Sequence, residues 1–269
     1  MKIASLPAQF LAVSDGSRLA YLHLPGCSPG IMFCAGFQSN MRGRKAEALM
    51  NWCDSTGREF TCFDYFGHGE SLPPPHVSAE DTARHGTVGC WLSDTLAVLD
   101  TLTGPSSVQI LVGSSMGAWL AILVTRARPA RISGFVGLAS APDAFQLVED
   151  VIRNSPILSQ SMQNEGFCDV PSSYSNTGYY RLYRELIQEA AAHTLHTTDM
   201  HFLAHIPVRL IHGKQDEHVP WQISQRLFDF ISSRDKQIVY IEDGDHRLSR
   251  DQDLIALIHQ LEELTCTRS

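Results

Sequence analysis

The 269-residue chain is 43% hydrophobic and 19% charged, with a formal net charge of −8. These proportions belong to a globular protein and exclude disordered, collagen-like and fibrous chains. An acidic chain without a Lys/Arg run has no electrostatic attraction to nucleic acid or to an anionic membrane surface, so neither is expected as a partner. No stretch approaches the roughly 18 apolar residues of a membrane span. The opening MKIASLPAQFLAVSDG makes a poor signal peptide and lacks the arginines of a transit peptide, so a cytoplasmic location is the expectation. Seven cysteines (27, 34, 53, 62, 90, 168 and 266) show no C-x-x-C spacing, and several sit inside apolar runs. They read as buried, reduced thiols and not as a disulfide framework.

Along the chain, short β-rich runs alternate with longer amphipathic segments. GIMFCAG (30–36) and EFTCFDY (59–65) are the first predicted strands. A helix follows over 88–103, where Leu92, Leu96, Leu99 and Leu102 recur at three- and four-residue spacing and form one apolar stripe. VQILVGS (108–114) and ISGFVGLAS (132–140) are the next strands, and more than sixty residues then pass before VRLIHG (208–213). That interval holds a predicted helix at 143–153, a Pro/Ser/Asn/Gly-rich stretch at 170–178 and a second predicted helix at 179–192. It is too long for a single crossover and reads as a small helical cap inserted over approximately 142–204. QIVYIED (237–243) is the last strand, followed by a helix carrying Leu254, Leu257, Ile258 and Leu261. Most of the runs are apolar throughout, as parallel strands covered on both faces are. The alternation predicts a single α/β domain over residues 1–269, a mainly parallel sheet flanked by helices.

The chemistry centres on G-S-S-M-G at 113–117, a G-x-S-x-G pattern between a predicted strand and a predicted helix. A sharp strand-to-helix turn there lifts the Ser115 hydroxyl above the sheet edge and aims the Met116 N–H at developing negative charge. A serine hydroxyl is a poor nucleophile at neutral pH and needs a base and an orienting acid. The order expected on this architecture is Ser, then Asp or Glu, then His. Asp216, in LIHGKQDEHVP, follows the strand at 208–213; His246, in YIEDGDHRL, follows the strand at 237–243. All three lie beyond the carboxyl ends of strands, where open α/β sheets bind ligands. Asp143, after the strand at 132–140, stands as the alternative acid. Asp243 and Asp245 flank His246 too closely to turn back onto its ring and read as shaping the turn. Of the 12 histidines, only His246 sits after a late strand and before the last helix. His212 reads as packing and His68 as part of a turn. His201 and His205 have a spacing that suits a metal, but no third ligand is suggested nearby, so no metal is expected.

These segments, AGFQSN, FDYFGHGES, GSSMG, HGKQDEHVP and GDHRL, together resemble the α/β-hydrolase superfamily over nearly the whole chain. FDYFGHGES resembles its D-x-x-G-x-G-x-S turn, which makes Asp64 a local structural acceptor. The resemblance implies an oxyanion hole built from the backbone N–H groups of Met116 and of Phe37, the latter after Ala35-Gly36, with Ala35 where the usual pair has histidine. GSSMGAWLAI, VPSSYSNTGYYRLYRELIQEAAAH, IPVRLIHGKQDEHVPW and DGDHR resemble more narrowly the mitochondrial acyl-protein (palmitoyl-protein) thioesterases. Those enzymes remove long acyl chains from cysteine thioesters and are similar to enzymes cleaving acyl glucuronides. Lacking an evident transit peptide, the chain looks like a bacterial relative.

The activity expected is therefore serine hydrolysis of acyl thioesters or esters through an acyl-enzyme, on a small-molecule or protein-linked substrate, with no metal or organic cofactor. Met162, Phe167, Tyr174, Tyr179, Tyr180 and Tyr183 put apolar and amphipathic surface in or beside the cap, where aromatic bodies suit an acyl groove; for Tyr180 and Tyr183 the alternative is packing of the cap helix onto the core. Two rivals are a carboxylesterase or lactonase with the same triad, and a non-catalytic ligand-binding protein on a hydrolase scaffold. Serine at 115 excludes the aspartate-nucleophile branches.

Overall fold

The computed structural model of the chain describes residues 2–175, 177–195 and 197–266, apart from the side chains at 197–199 and 266. In chain order the strands are β1 (Gln9–Ala12), β2 (Arg18–Leu24), β3 (Cys27–Cys34), β4 (Arg58–Phe63), β5 (Gln109–Ser114) and β6 (Ile132–Leu138). They continue as β7 (Phe167–Pro171), β8 (Tyr179–Tyr183), β9 (Val208–Gly213) and β10 (Lys236–Ile241). The helices are α1 (Arg44–Thr56), α2 (Ala79–His85), α3 (Val88–Leu102), α4 (Met116–Ala127) and α5 (Ala144–Asn154). After them come α6 (Pro156–Glu165), α7 (Arg184–Ala190), α8 (Gln222–Phe230) and α9 (Asp251–Cys266).

Eight strands form one sheet in the order β1-β2-β4-β3-β5-β6-β9-β10. From β4 to β10 every pairing is parallel; β2 runs antiparallel to both β1 and β4. Every residue of β5, β6 and β9 is buried, whereas β1 and β10 at the edges are not. Helices cover both faces of the centre, so alternation is lost there and the sequence reads as continuous apolar runs. The chain runs from β3 outward to β4 and then returns to place β5 on the other side of β3. The crevice between the carboxyl ends of β3 and β5 is thus a topological switch point, where such sheets take ligands. Among the described residues, no helix is long and apolar enough to cross a membrane.

The residues between β6 and β9 contain α5, α6, the antiparallel β7–β8 hairpin and α7, which packs on α2, α3 and α5. One expectation is corrected here. The segment 179–192 is not one helix: Tyr179–Tyr183 pairs with β7, and α7 begins at Arg184. YYRLY is β-branched-free but aromatic-rich and pairs well on a pleated surface, whereas RELIQEA consists mostly of good helix formers. The antiparallel pair β1–β2 is an addition to the strands read from sequence. The six cysteines whose side chains are described are free thiols; Cys34, Cys53, Cys62 and Cys168 are buried, Cys90 is half-buried and Cys27 is exposed. The Cys266 side chain lies outside the described residues.

Candidate active site

Ser115 occupies a single residue between the end of β5 and the start of α4, with φ 55° and ψ −119°. An L-residue at positive φ is strained. Close packing of backbone around the turn holds it there: a Cβ at Gly117 would lie 2.1 Å from the Cys34 carbonyl oxygen, and one at Gly113 would lie 2.4 Å from the Ala118 Cα. The Ser115 amide donates to the Leu138 carbonyl of β6 at 2.8 Å. α4 is buried from Met116 to Thr125, so its positive end meets the Ser115 hydroxyl with little solvent screening.

Ser115 Oγ lies 3.1 Å from Nε2 of His246, and Nδ1 of His246 lies 2.7 Å from Oδ2 of Asp216. A carboxylate only accepts, so Nδ1 carries the proton and the bare Nε2 accepts from the Ser115 hydroxyl. Three segments far apart in sequence, ending β5, following β9 and following β10, meet at one rim.

The Asp216 side chain is buried and saturated with donors. Its Oδ1 accepts the amides of His218 (2.9 Å) and Val219 (2.8 Å). Its Oδ2 accepts from His246 and also from Nε2 of His212 at 3.1 Å. Burial alone would raise this carboxyl, but the hydrogen bonds from His212 and His246 and the Val219 amide outweigh it and hold Asp216 well below the usual carboxylate range. The tautomer of His212 follows from its neighbours. Nε2 faces the Asp216 carboxylate and the Val219 carbonyl (2.9 Å), both acceptors, so it bears the proton; Nδ1 accepts from the Ser224 hydroxyl at 2.6 Å. Sequence reading gave His212 a packing role and missed this contact. Its place four residues before Asp216, at the end of a buried strand, was the available signal.

Asp143 takes a different position. Its Oδ1 accepts the Leu195 amide at 2.9 Å, and it precedes α5. Asp243 pairs with Arg250, and Asp245 accepts the Leu248 amide, so both shape the loop around His246. Among the described residues, no group of three or more His, Cys, Asp or Glu could hold a metal ion.

The loop after β3 runs beside the serine: a Cβ at Gly36 would lie 3.5 Å from Ser115 Cβ. Neither the Phe37 nor the Met116 amide donates to a protein acceptor among the described residues. The Phe37 ring is set by edge contacts with Phe145 and Tyr180, at centroid distances of 5.5 and 5.4 Å. On the other side, the tip of the β7–β8 hairpin places Tyr174 over the site, 5.8 Å from the His246 ring and 4.3 Å from His218. Arg247 lies over the Tyr174 ring at 4.8 Å.

A groove of about 430 Å³ starts beside Tyr174 and is lined by Gln38, Ala83, Tyr179, Tyr180, Arg181 and Tyr183. A cavity of about 320 Å³ lies next to it, behind Phe37, and shares Gln38, Ala83, Arg181 and Tyr183 with the groove. Four of the tyrosines singled out from sequence thus face open space. Met162 and Phe167 line neither; Phe167 packs on Tyr183 at 5.8 Å and under Arg181.

The sequence model of the Alpha/beta hydrolase family matches residues 33–257, from within β3 into α9. The chain belongs to that family. Its hydrolase membership is borne out by relatives as well: it is 37% identical over 257 residues to the mitochondrial palmitoyl-protein thioesterase ABHD10 of mouse, covering 95% of this chain and 81% of that one. The solved structure of alpha/beta hydrolase domain-containing protein 10 from mouse superposes with a TM-score of 0.84 at 36% identity, covering 98% of this chain and 100% of that chain. A putative hydrolase from Agrobacterium vitis S4 also gives a TM-score of 0.84, at 30% identity and with 96% and 99% of the two chains covered. The α/β-hydrolase fold class and the resemblance to acyl-protein thioesterases read from the sequence both agree with these findings.

Proposed function

We propose that this hydrolase cleaves acyl thioesters and esters through a covalent acyl-Ser115 intermediate, acting as a thioesterase of the acyl-protein type. The observation that carries the reading is the unbroken line of hydrogen bonds from the Ser115 hydroxyl through His246 to Asp216. In the first step His246 Nε2 takes the hydroxyl proton as Oγ attacks the acyl carbonyl carbon. Asp216 holds the imidazole in the Nδ1–H form and stabilises the imidazolium. The carbonyl oxygen becomes an oxyanion, met by the unengaged amides of Phe37 and Met116 and by the positive end of α4. The tetrahedral centre collapses and expels the thiolate or alkoxide, which His246 protonates. In the second step water, deprotonated by His246, releases the carboxylic acid and restores Ser115.

A thiolate leaves more readily than an alkoxide, and an amine must be protonated before it leaves. Thioesters and esters are therefore the favoured substrates over amides. The segment over approximately 142–204 acts as the cap, with Tyr174 roofing His246. The tyrosine-lined groove takes the acyl chain, because aromatic bodies offer apolar surface to methylenes at little entropic cost. The thioesterase reading also draws on the 37% identity to the mouse enzyme.

The test is a kinetic profile on matched acyl thioesters and oxygen esters of increasing chain length. A kcat/KM that rises with chain length and favours the thioester supports the reading. Preference for short oxygen esters would assign the protein to the carboxylesterases. Absence of turnover, together with no fluorophosphonate labelling of folded protein, would assign it to binding.

A further inference from the structure

The loop that carries Phe37 is a tight turn in an unfavourable form. The Ser39 amide donates to the Gly36 carbonyl at 3.1 Å, closing a four-residue turn with Phe37 and Gln38 at its centre. Gln38 has φ 54°, while Phe37 is not among the positive-φ residues. A positive φ at the third position alone defines the type II form, which favours glycine there. Turning the Phe37–Gln38 peptide over gives the type I form, which suits glutamine better. Some contact must hold this peptide as it is.

The holding contacts come from the segment after β4. Tyr65 Oη donates to the Ala35 carbonyl at 3.2 Å, and Asp64 Oδ1 accepts the Met41 amide at 2.6 Å, pinning the loop at both ends. Between them the Gln38 amide donates to Nε2 of His68 at 3.1 Å. The Gln38 N–H belongs to the peptide that a type I flip would reverse. The other nitrogen, Nδ1, donates to the Phe66 carbonyl at 3.1 Å, which leaves Nε2 as the bare acceptor. The His68 ring is wedged edge-on against Trp91 at 5.2 Å and Tyr65 at 5.5 Å. Burial pushes this imidazole down to about 4, so it stays neutral and its lone pair stays available at ordinary pH.

We propose that His68 is a positioning residue for the oxyanion loop: by accepting the Gln38 amide it fixes the residue that follows Phe37 and, with the Tyr65 and Asp64 contacts, holds the loop that carries the Phe37 N–H in place beside Ser115. The proposal rests on the acyl-transfer reading of the site. It assigns to the D-x-x-G-x-G-x-S turn a role in transition-state stabilisation exerted through another residue's backbone. Removing an oxyanion donor outright costs about 10²–10³ in rate. Misplacing one in part of the population costs less, roughly 10- to 100-fold.

The experiment compares His68→Phe, which keeps a ring against Trp91 but offers no acceptor, with His68→Gln, which keeps an acceptor. His68→Leu takes the place of His68→Phe if the latter does not fold. The expected result is a roughly 10- to 100-fold fall in kcat for His68→Phe with KM within about threefold, and recovery of most of that loss in His68→Gln. Gln38→Gly added to His68→Phe is expected to restore kcat as well, since glycine holds the positive φ without help. Wild-type kcat in His68→Phe, or an equal loss in both His68 variants that Gln38→Gly leaves unchanged, would overturn the proposal. Labelling of wild-type Ser115 by a fluorophosphonate separates the two levels. Labelled, active wild type with an indifferent His68 sinks this proposal alone; wild type that neither labels nor hydrolyses sinks the acyl-transfer reading and the proposal with it.

Discussion

Oδ2 of Asp216 accepts from two imidazoles at once, Nδ1–H of His246 at 2.7 Å and Nε2–H of His212 at 3.1 Å. The second donor fixes the carboxylate in the orientation that meets His246. Replacing His212 by leucine removes that donor and leaves Asp216 less firmly placed, so kcat is expected to fall roughly 3- to 10-fold with KM little changed. His212→Gln keeps an N–H for Asp216 and is expected to lose less. Steady-state kinetics of the two variants check both, and wild-type kcat in His212→Leu would contradict the argument.

The elbow tolerates loss of its hydroxyl and not of its glycine. Ser115→Ala keeps the Cβ and the turn; stability within about 1 kcal/mol of the parent is expected, with complete loss of turnover and of fluorophosphonate labelling. Gly117→Ala drives a methyl to 2.1 Å from the Cys34 carbonyl, backbone against backbone. The strand and helix must separate, at a cost on the order of 3 kcal/mol. Urea unfolding of the two variants compares these costs, and a Gly117→Ala protein as stable as Ser115→Ala would show that the turn is looser than described.

Asp94 gives a pH signature with a definite sign. It is 5% exposed, and its carboxylate accepts the Phe66 amide at 2.8 Å. Burial pushes its pKa up from 3.8 to about 7, against the pull of that amide. The folded state therefore holds this proton more tightly than the unfolded chain does. Its contribution to stability is full below about pH 4 and is lost as pH rises through 7. Asp94→Asn keeps an oxygen for the Phe66 amide and removes the ionisation. The variant is expected to match the parent near pH 4 and to exceed it by a few kcal/mol, in order of magnitude, at pH 8. Denaturant midpoints at the two pH values measure the difference; a gap that is constant with pH would count against the assignment.

Ala83 lines both the groove beside Tyr174 and the cavity behind Phe37. A tryptophan there fills part of the space that Ala83 lines in both. Each methylene kept out of apolar surroundings forfeits about 0.8 kcal/mol. Excluding two is expected to lower kcat/KM roughly tenfold for long acyl thioesters, while two- to four-carbon acyl groups react as before. Equal effects on long and short chains would place the acyl chain elsewhere.

The sequence carries the central strands because β5, β6 and β9 are buried on both faces, and continuous apolar runs are hard to misread. It carries Ser115, Asp216 and His246 because each follows a strand that ends at the same edge of the sheet. β1 and β2 were less visible: β1 is short, mostly exposed and paired only through β2. Tyr179–Tyr183 reads as helix in the sequence because the strong helix formers begin only one residue later and its strand partner lies in a separate segment. The roles of His212 and His68 depend on which buried acceptor or donor meets each ring nitrogen. A single ring can be a packing residue or a hydrogen-bonding device, and the choice between them is made by atoms distant in sequence.

The central claim is a covalent bond between the substrate acyl group and Ser115 Oγ. The most direct measurement mixes the protein with a long-chain acyl thioester, quenches with acid on the millisecond scale and locates the mass gain by peptide mass spectrometry. The account predicts an acyl group on the peptide containing Ser115 that forms and decays at rates consistent with turnover and is absent from Ser115→Ala. Full turnover with no adduct at any time, or an adduct carried by one of the cysteine thiols instead, would contradict it.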